Sequence, residues 1–411
     1  MTKSKYAPPF FMIILFFLLL DFYVFLKIWK SFKTSRKKRI FTITYWAVTG
    51  IIYVLLIIMF SYGQPVYNLK IHVLFYHFAG LLLLIYIPKI IVAAFCLVCD
   101  FVWMVSLFFH KIDLNFRKIY SVIRITGMGI AVIPVLLILY GYFIGRHDFR
   151  TEHITLSFKN LPESFDNLKI VHISDIHLGS LLFRKEMVKG EFERINQLEP
   201  DLILFTGDMV NSYSGETKGW SDIFNTLDSR YGIYSVLGNH DYGLYFSFED
   251  STDRKKDVQK LIEFQENAGF DVLLNESKII TKNHDSLVII GVENWSKPPF
   301  PQYGDLSKAR QYQDSIVFEI LLTHDPSHWN MEVAGKKSIE LTLAGHTHGA
   351  QFGIEMENWQ WSPVKYLYPQ WGGLYEENNQ FLYVNRGFGY IGPPLRVGIR
   401  PEITVIRFLR K

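Results

Sequence analysis

Apolar and polar positions divide the chain into two unlike halves. The first 145 residues hold runs too long and too apolar for a soluble core, whereas short apolar runs alternate with polar stretches in the rest. The long runs are Phe10–Ile28, broken by Asp21 and Lys27; Phe41–Phe60; about Ile71–Phe109, broken by Pro88, Lys89 and Asp100; and Ile125–Phe143. Phe41–Phe60 has the roughly 20 residues needed to cross a bilayer. No small-residue cleavage site follows the first run, so it is expected to stay as an anchor. The third run, at about 1.5 Å per residue, exceeds one span. Either one long helix protrudes from the membrane or two spans meet near Pro88.

Basic residues gather between these runs, in Lys27, Lys30, Lys33, Arg36, Lys37, Lys38 and Arg39 and again in the loop His110–Arg124. If both clusters are cytoplasmic, an even number of crossings separates them, and the third run supplies one. The expectation is therefore four spans in a plasma or inner membrane, with both termini and the C-terminal half outside the cytoplasm. Five spans would reverse the side of that half. A hydrophobic content of 49% with 16% aromatics agrees with a bilayer partner, and a net charge of +4 leaves no dense basic stripe for nucleic acid. Cys96 and Cys99 both fall in the third run and are expected to pack as small apolar residues between helices. Asp100 is expected near an interface. No oligomeric state follows from the pattern.

From about Gly145 the composition changes, and Arg146–Arg150 reads as a hinge between a transmembrane domain, 1–145, and a soluble domain, 146–411. Strands are expected at His153–Phe158, Leu168–Ile173, Leu202–Phe205, Ile233–Leu237, Asp271–Leu274, Lys278–Ile280, Leu287–Gly291, Ile316–Leu322 and Leu341–Ala344. Helices are expected at Phe183–Leu198, Trp220–Leu227 and Asp257–Asn267. The alternation implies a layered α/β fold with some antiparallel pairing. Ser296–Gln302 and the aromatic stretch Trp359–Tyr375 read as loops, the latter packed on its own domain, docked on lipid headgroups or lining a groove.

Five of the apolar runs end in polar residues of one chemical kind: Asp175 and His177, Asp208, Asn239 and His240, His324, and His346 and His348. Carboxylates, imidazoles and an amide without cysteine make a cage for two borderline or hard divalent metals. Gly207, Gly238 and Gly345 permit tight turns beside them. His172 is expected in the core. Arg386 and Arg396 are candidates for phosphate contact or for salt bridges. No phosphate-binding loop of the Gly-x-x-x-x-Gly-Lys-Ser/Thr type occurs, which disfavours a kinase or ATPase.

The ordered set Asp-x-His, Gly-Asp, Gly-Asn-His-Asp, His and Gly-His-x-His resembles the calcineurin-like metallophosphoesterase superfamily over roughly Leu168–Arg407. The membrane half is similar in architecture to its multi-span transmembrane members. The resemblance implies two packed mixed β-sheets flanked by helices. It implies a first metal on Asp175, His177 and His348, a second on Asn239, His324 and His346, and Asp208 bridging both. His240 matches the catalytic histidine, with Asp241 expected to orient its ring. The implied cofactors are two divalent ions, Mn, Fe or Zn. The implied reaction is hydrolysis of a phosphoester or pyrophosphate by a metal-bridging hydroxide, on a phosphorylated small molecule or a lipid-linked envelope substrate. The alternative is a non-catalytic membrane scaffold or receptor that retains the metal-binding fold; a missing ligand would favour it, and none is missing.

Overall fold

The computed structural model describes residues 7–61, 69–108, 116–311, 318–357 and 359–411. Of the expected elements, residues 62–68 of the first linker, 109–115 at the second basic loop, and Ile316 and Val317 lie outside these ranges.

Four helices long and apolar enough to cross a membrane lead the chain: α1 (Ala7–Trp29), α2 (Ser35–Ser61), α3 (Leu69–Phe108) and α4 (Phe116–Phe143). The long third run is thus one helix of 40 residues that continues through Pro88, about 60 Å long at 1.5 Å per residue. The two carboxylates inside these helices, Asp21 and Asp100, are paired with lysines. A bare carboxylate near the middle of a bilayer costs roughly 3 kcal/mol on insertion scales. Asp21 is fully buried and gathers four donors: the hydroxyls of Tyr45, Tyr53 and Tyr86 at 3.1, 2.9 and 3.1 Å and Lys89 Nζ at 2.5 Å. Asp100 pairs with Lys27 and accepts from the Tyr23 hydroxyl at 2.7 Å. Cys96 and Cys99 are free thiols, buried as expected of small apolar residues.

The chain packs as two compact units, one holding α1, α2 and most of α3 and α4, the other holding residues 141–411 together with 69–76, the first two turns of α3. In the second unit the first sheet contains β1 (Arg150–Phe158), β2 (Lys169–Ile173), β3 (Leu202–Phe205), β4 (Ile233–Ser235) and β5 (Phe270–Val272). The second sheet contains β6 (Glu276–Lys282), β7 (Asp285–Gly291), β8 (Glu319–Leu322) and β9 (Leu341–Ala344). A separate hairpin, β10 (Ile354–Met356) with β11 (Trp359–Trp361), follows. β12 (Gly373–Glu377) and β13 (Gln380–Val384) then extend the second sheet, and β14 (Glu402–Arg410) returns between β1 and β2 of the first. The sheet orders are β1-β14-β2-β3-β4-β5 and β12-β13-β9-β8-β7-β6. β2 to β5 run parallel, as do β7, β8, β9 and β13, while β14 against β2, β6 against β7 and β12 against β13 are antiparallel.

Alternation along each strand decides the layers. Ile170, Leu202, Leu204 and Val236 of the first sheet meet Leu287, Ile289, Ile320, Leu322, Leu341 and Leu343 of the second in one buried cluster. Opposite-facing Val171, Ile173, Ile203 and Phe205 pack against Val188, Phe192 and Ile195 of α5 (Lys185–Gln197) and Leu261 and Ile262 of α6 (Ser251–Asn267). On the far face of the second sheet, Val288, Ile290, Leu321 and Ala344 pack with Trp329, Val333 and Leu306. Strands buried on both faces read as unbroken apolar runs such as Leu202–Phe205. The result is two packed mixed sheets flanked by helices.

Local differences from expectation have local causes. α6 begins six residues before the expected Asp257, because the Asp250 carboxylate caps it by accepting from the amides of Thr252 and Asp253 at 2.6 and 2.9 Å. Trp220–Leu227 contains only a single helical turn, Ser221–Phe224. The aromatic stretch is not all loop: it contains β11, a short turn at Pro363–Tyr366 and the start of β12.

Candidate metal centre

The polar residues singled out from the sequence sit where parallel strands of the two sheets end. β2, β3 and β4 deliver Asp175 and His177, Asp208, and Asn239 and His240 from the first sheet, and β8 and β9 deliver His324, His346 and His348 from the second. Because those strands are buried on both faces, the loops start from fixed points, and a layered α/β protein places ligands at such carboxyl ends. The backbone is bent to bring the side chains inward. Asp175, His177, Asp208, His346 and His348 all have φ between 49° and 71°. That region is unfavourable for residues with a Cβ and is held only where the surroundings over-determine it. Glycine makes room for them: a Cβ on Gly345 would run into the Ser174 hydroxyl and the Asp175 carboxylate.

Two groups of donors result. The ligand atoms of Asp175, His177 and His348 lie within 4.8 Å of one another, and so do those of Asp208, His324 and His346. His177 Nε2 is 3.0 Å from His348 Nε2, and His348 Nε2 is 3.2 Å from Asp175 Oδ1. In the other group His324 Nε2 is 3.2 Å from His346 Nδ1 and 3.1 Å from Asp208 Oδ2. Asp208 reaches both, since the same Oδ2 is 3.7 Å from His177 Nε2. Its Oδ1 accepts the His240 amide at 2.9 Å.

The rings are fixed from behind. His177 Nδ1 and His324 Nδ1 donate to the carbonyls of Val210 and Thr206 at 3.2 and 2.7 Å, which leaves Nε2 of each as the electron-pair donor. Asn239 Nδ2 donates to the Tyr245 hydroxyl at 2.8 Å, while Asn239 Oδ1 is buried with no hydrogen-bond partner. An amide oxygen left in that condition costs about 1–3 kcal/mol, and a cation is the partner such an oxygen suits.

Electrostatics point the same way. Burial works against ionisation of Asp208, but His324, His240 and His177 outweigh it and hold the carboxyl well below its usual range. Burial lowers His177, keeping its ring neutral. For His324 burial also lowers, yet the Asp208 carboxylate beside it wins and raises the ring to about 10. A divalent cation held by His324 and Asp208 would replace that proton, the usual exchange when a metal binds. The donor set, the orphaned amide oxygen and the clustered imidazoles fit two N/O-liganded divalent ions.

A cleft of about 490 Å³ opens over these groups, lined by His177, Asp208, Asn239, His240, His346 and His348 and closed on other sides by Lys297–Phe300, Val364, Leu367, Tyr368 and Ile391. His240 donates from Nδ1 to the Asn211 carbonyl at 2.6 Å and stacks on Tyr245 with centroids 4.1 Å apart. The expected orienting role of Asp241 is therefore wrong. Asp241 instead accepts from the amides of Asp208, Met209, Val210 and Gly238, at 2.8 to 3.2 Å, and holds the two loops together. Neither arginine lines the cleft. Arg386 is buried against Glu402, Nη1 to Oε2 at 2.7 Å. Arg396 is buried and donates to the carbonyls of Arg386, Gly387 and Gly389, with Nη2 3.2 Å from His348 Nδ1. His172 lies in the core on Thr206 Oγ1 at 2.9 Å.

The sequence reading missed Asn211, Tyr245 and Lys297, whereas Tyr368 belongs to the aromatic stretch expected among other readings to line a groove. Tyr368 meets His346 Nε2 at 2.9 Å, and Lys297 is the cation that lines the cleft among the described residues. Of the three missed residues, only the nearness of Tyr245 to Gly238–Asp241 in sequence gave a hint.

A two-sheet α/β domain with paired carboxylate and imidazole clusters at its strand ends, joined to four apolar helices, defines a membrane-borne metallophosphoesterase. Residues 168–350 match the family model described as calcineurin-like phosphoesterase, and residues 7–146 match that of a probable calcineurin-like phosphoesterase transmembrane domain. The chain is 30% identical over 279 residues to the metallophosphoesterase YkuE of Bacillus subtilis, covering 65% of this chain and 88% of that one. It is 27% identical over 283 residues to the transmembrane protein with metallophosphoesterase domain of Danio rerio and 32% identical over 256 residues to that of Bos taurus. These matches cover 67% and 59% of this chain but only 61% and 53% of those relatives. The chain belongs to the calcineurin-like metallophosphoesterase family.

Proposed function

We propose that the protein is a membrane-anchored phosphoesterase, with residues 146–411 as its catalytic domain and 1–145 as its anchor. Asp175, His177 and His348 would hold one divalent ion, and Asn239, His324 and His346 a second, with Asp208 shared. The observation that carries this reading is the Asp208 carboxylate standing within 3.1 Å and 3.7 Å of an imidazole nitrogen from each group. Mn, Fe and Zn all suit these donors. Two such ions would supply Lewis acidity toward phosphoryl oxygens and a water acidic enough to attack near neutral pH.

The chain's own residues perform the rest. His240, its Nδ1–H spent on the Asn211 carbonyl, exchanges a proton only through Nε2 and protonates the leaving oxygen there. Lys297 at the cleft wall draws the phosphoryl anion in. Phe300 and Tyr368 flank His346, the first ring edge-on at 5.2 Å, and limit access of bulk water. Protein stripped with chelator and reloaded is expected to take up two ions per chain and to hydrolyse a phosphodiester or phosphomonoester in a panel that includes lipid-linked pyrophosphates. One ion or none by elemental analysis would reject the dinuclear site. Full loading without hydrolysis of any member would favour the non-catalytic scaffold.

Tyr245 positions the Asn239 amide through its hydroxyl. Tyr245→Phe keeps the ring under His240 and removes that acceptor. Such supporting bonds are worth roughly 10–100-fold in metal affinity, so one of the two ions should dissociate at correspondingly lower chelator while the other is retained. Unchanged affinity for both would show that the hydroxyl is dispensable.

The catalytic domain is proposed to lie outside the cytoplasm. The basic residues around the α1–α2 connection and those in the first turns of α4 fall on one side of an alternating four-helix path, and the end of α4 falls on the other. A reporter fused after Lys411 should be active in its extracytoplasmic form only; activity of a cytoplasmic reporter at that position would reverse the topology.

A further inference from the structure

One part of the cleft wall has a chemistry that phosphoryl transfer does not need. Leu367, at 77% relative exposure, lines the cleft, and Tyr366 beside it in sequence is 74% exposed; in the preceding hairpin Met356 and Trp359, paired across the strands, are 66% and 53% exposed. Large apolar side chains left bare in the segment that walls a polar site are costly in water and mark a surface that meets something apolar. Tryptophan and tyrosine with a basic neighbour are the composition of a membrane interface, and here Lys365 lies between Val364 and Tyr366 with its ammonium over the Tyr366 ring at 5.3 Å.

The bilayer is within reach of this surface by chain length alone. Only six residues separate the end of α4, Phe143, from the start of β1, Arg150, a tether of at most about 25 Å. A second tether is shorter still. The catalytic unit includes the first two turns of α3, a helix about twice as long as the hydrocarbon core is thick.

We infer that Trp359 and Val364–Tyr368 form a lipid-facing rim, and that the substrate is a phosphoester lipid of the same membrane, its chains lying along Val364 and Leu367 and its phosphoryl group in the cleft. The phosphate would meet Lys297 inside the cleft and Lys365 at its edge, a charge match for an anionic headgroup. This inference rests on the phosphoesterase reading for its substrate but not for its lipid contact, and the two are separable by experiment.

Full-length protein in lipid nanodiscs would carry an environment-sensitive fluorophore at Tyr366→Cys or, as a control, at Lys255→Cys on exposed α6; the native cysteines are buried. The expected result is a blue shift and loss of most of the fluorescence at position 366 with nitroxide-labelled lipid, and little change at 255. Equal quenching at the two positions, or none at 366, would overturn the lipid-facing rim. In parallel, Trp359→Ser/Tyr366→Ser should lower turnover of a phospholipid in the disc by about tenfold or more, the value of one buried aromatic, and leave a soluble nitrophenyl phosphodiester unchanged. Equal loss on both substrates would make the segment structural, and no loss on either would make the substrate soluble; each overturns the lipid assignment. Lipid contact without hydrolysis of any phosphoester would refute the phosphoesterase reading and leave the rim standing.

Discussion

Asp208→Ala should lose both ions and all measurable hydrolysis together. Its carboxylate is within reach of both donor clusters, with Oδ2 at 3.1 Å from His324 and 3.7 Å from His177. Removing it would take a shared ligand from both ions and leave two like charges facing each other with no anion between them. Loss of a supporting hydrogen bond costs roughly 10–100-fold in affinity, and loss of a shared ligand should exceed that range for both ions. The fold should survive, because the loop bearing Asp208 is held by its backbone amides on Asp241. Elemental analysis after gel filtration reads the metal, and the amide circular dichroism reads the fold. Two ions retained in Asp208→Ala would remove the residue from the centre.

His240→Ala should separate proton transfer from metal binding. The tie between this residue and the metal cage is its backbone amide, which donates to Asp208 Oδ1 at 2.9 Å and is kept by alanine. Both ions should therefore stay. Turnover should fall by about 10²–10⁴, the range typical of a general acid or base. The fall should be smallest for a nitrophenyl ester, whose leaving group departs without a proton, and largest for an alkyl ester. Equal losses on both would reject proton donation and leave His240 as a phosphate-binding residue. A loss of metal in His240→Ala would instead mean that the stacked pair His240 and Tyr245 holds Asn239 in place, since Tyr245 touches both.

The membrane half and a layered α/β fold were readable in advance because both follow from near-neighbour patterns, whereas the pairing into two mixed sheets was implied only by the family resemblance. A run of apolar residues longer than a bilayer has few alternatives in water or lipid, and Leu202–Phe205 or Leu341–Ala344 suits a strand buried on both faces. Strands with weaker patterns were not read: β13 and β14 form because partners such as Tyr383 with Leu343 and Val405 with Val171 meet only after the chain has returned to them.

At the site, the sequence by itself determined which chemical groups end the apolar runs and in what order, since side-chain chemistry and strand ends are local properties. The tertiary structure alone decided how those groups are shared. His346 and Asp175 are 171 residues apart yet joined amide to carboxylate, and His324 reaches Asp208 across the two sheets. It decided that a carbonyl of Asn211, not the adjacent Asp241, holds the His240 ring. Asp241 points instead at four buried amides that would otherwise lack acceptors, a larger cost than one unpartnered imidazole nitrogen facing a cleft. It also buried Arg386 and Arg396 behind the centre, where Glu402 and backbone carbonyls satisfy them. A hydrogen bond is made by whichever partner the packed strands bring within about 3 Å, and distance along the chain carries almost no information about that choice.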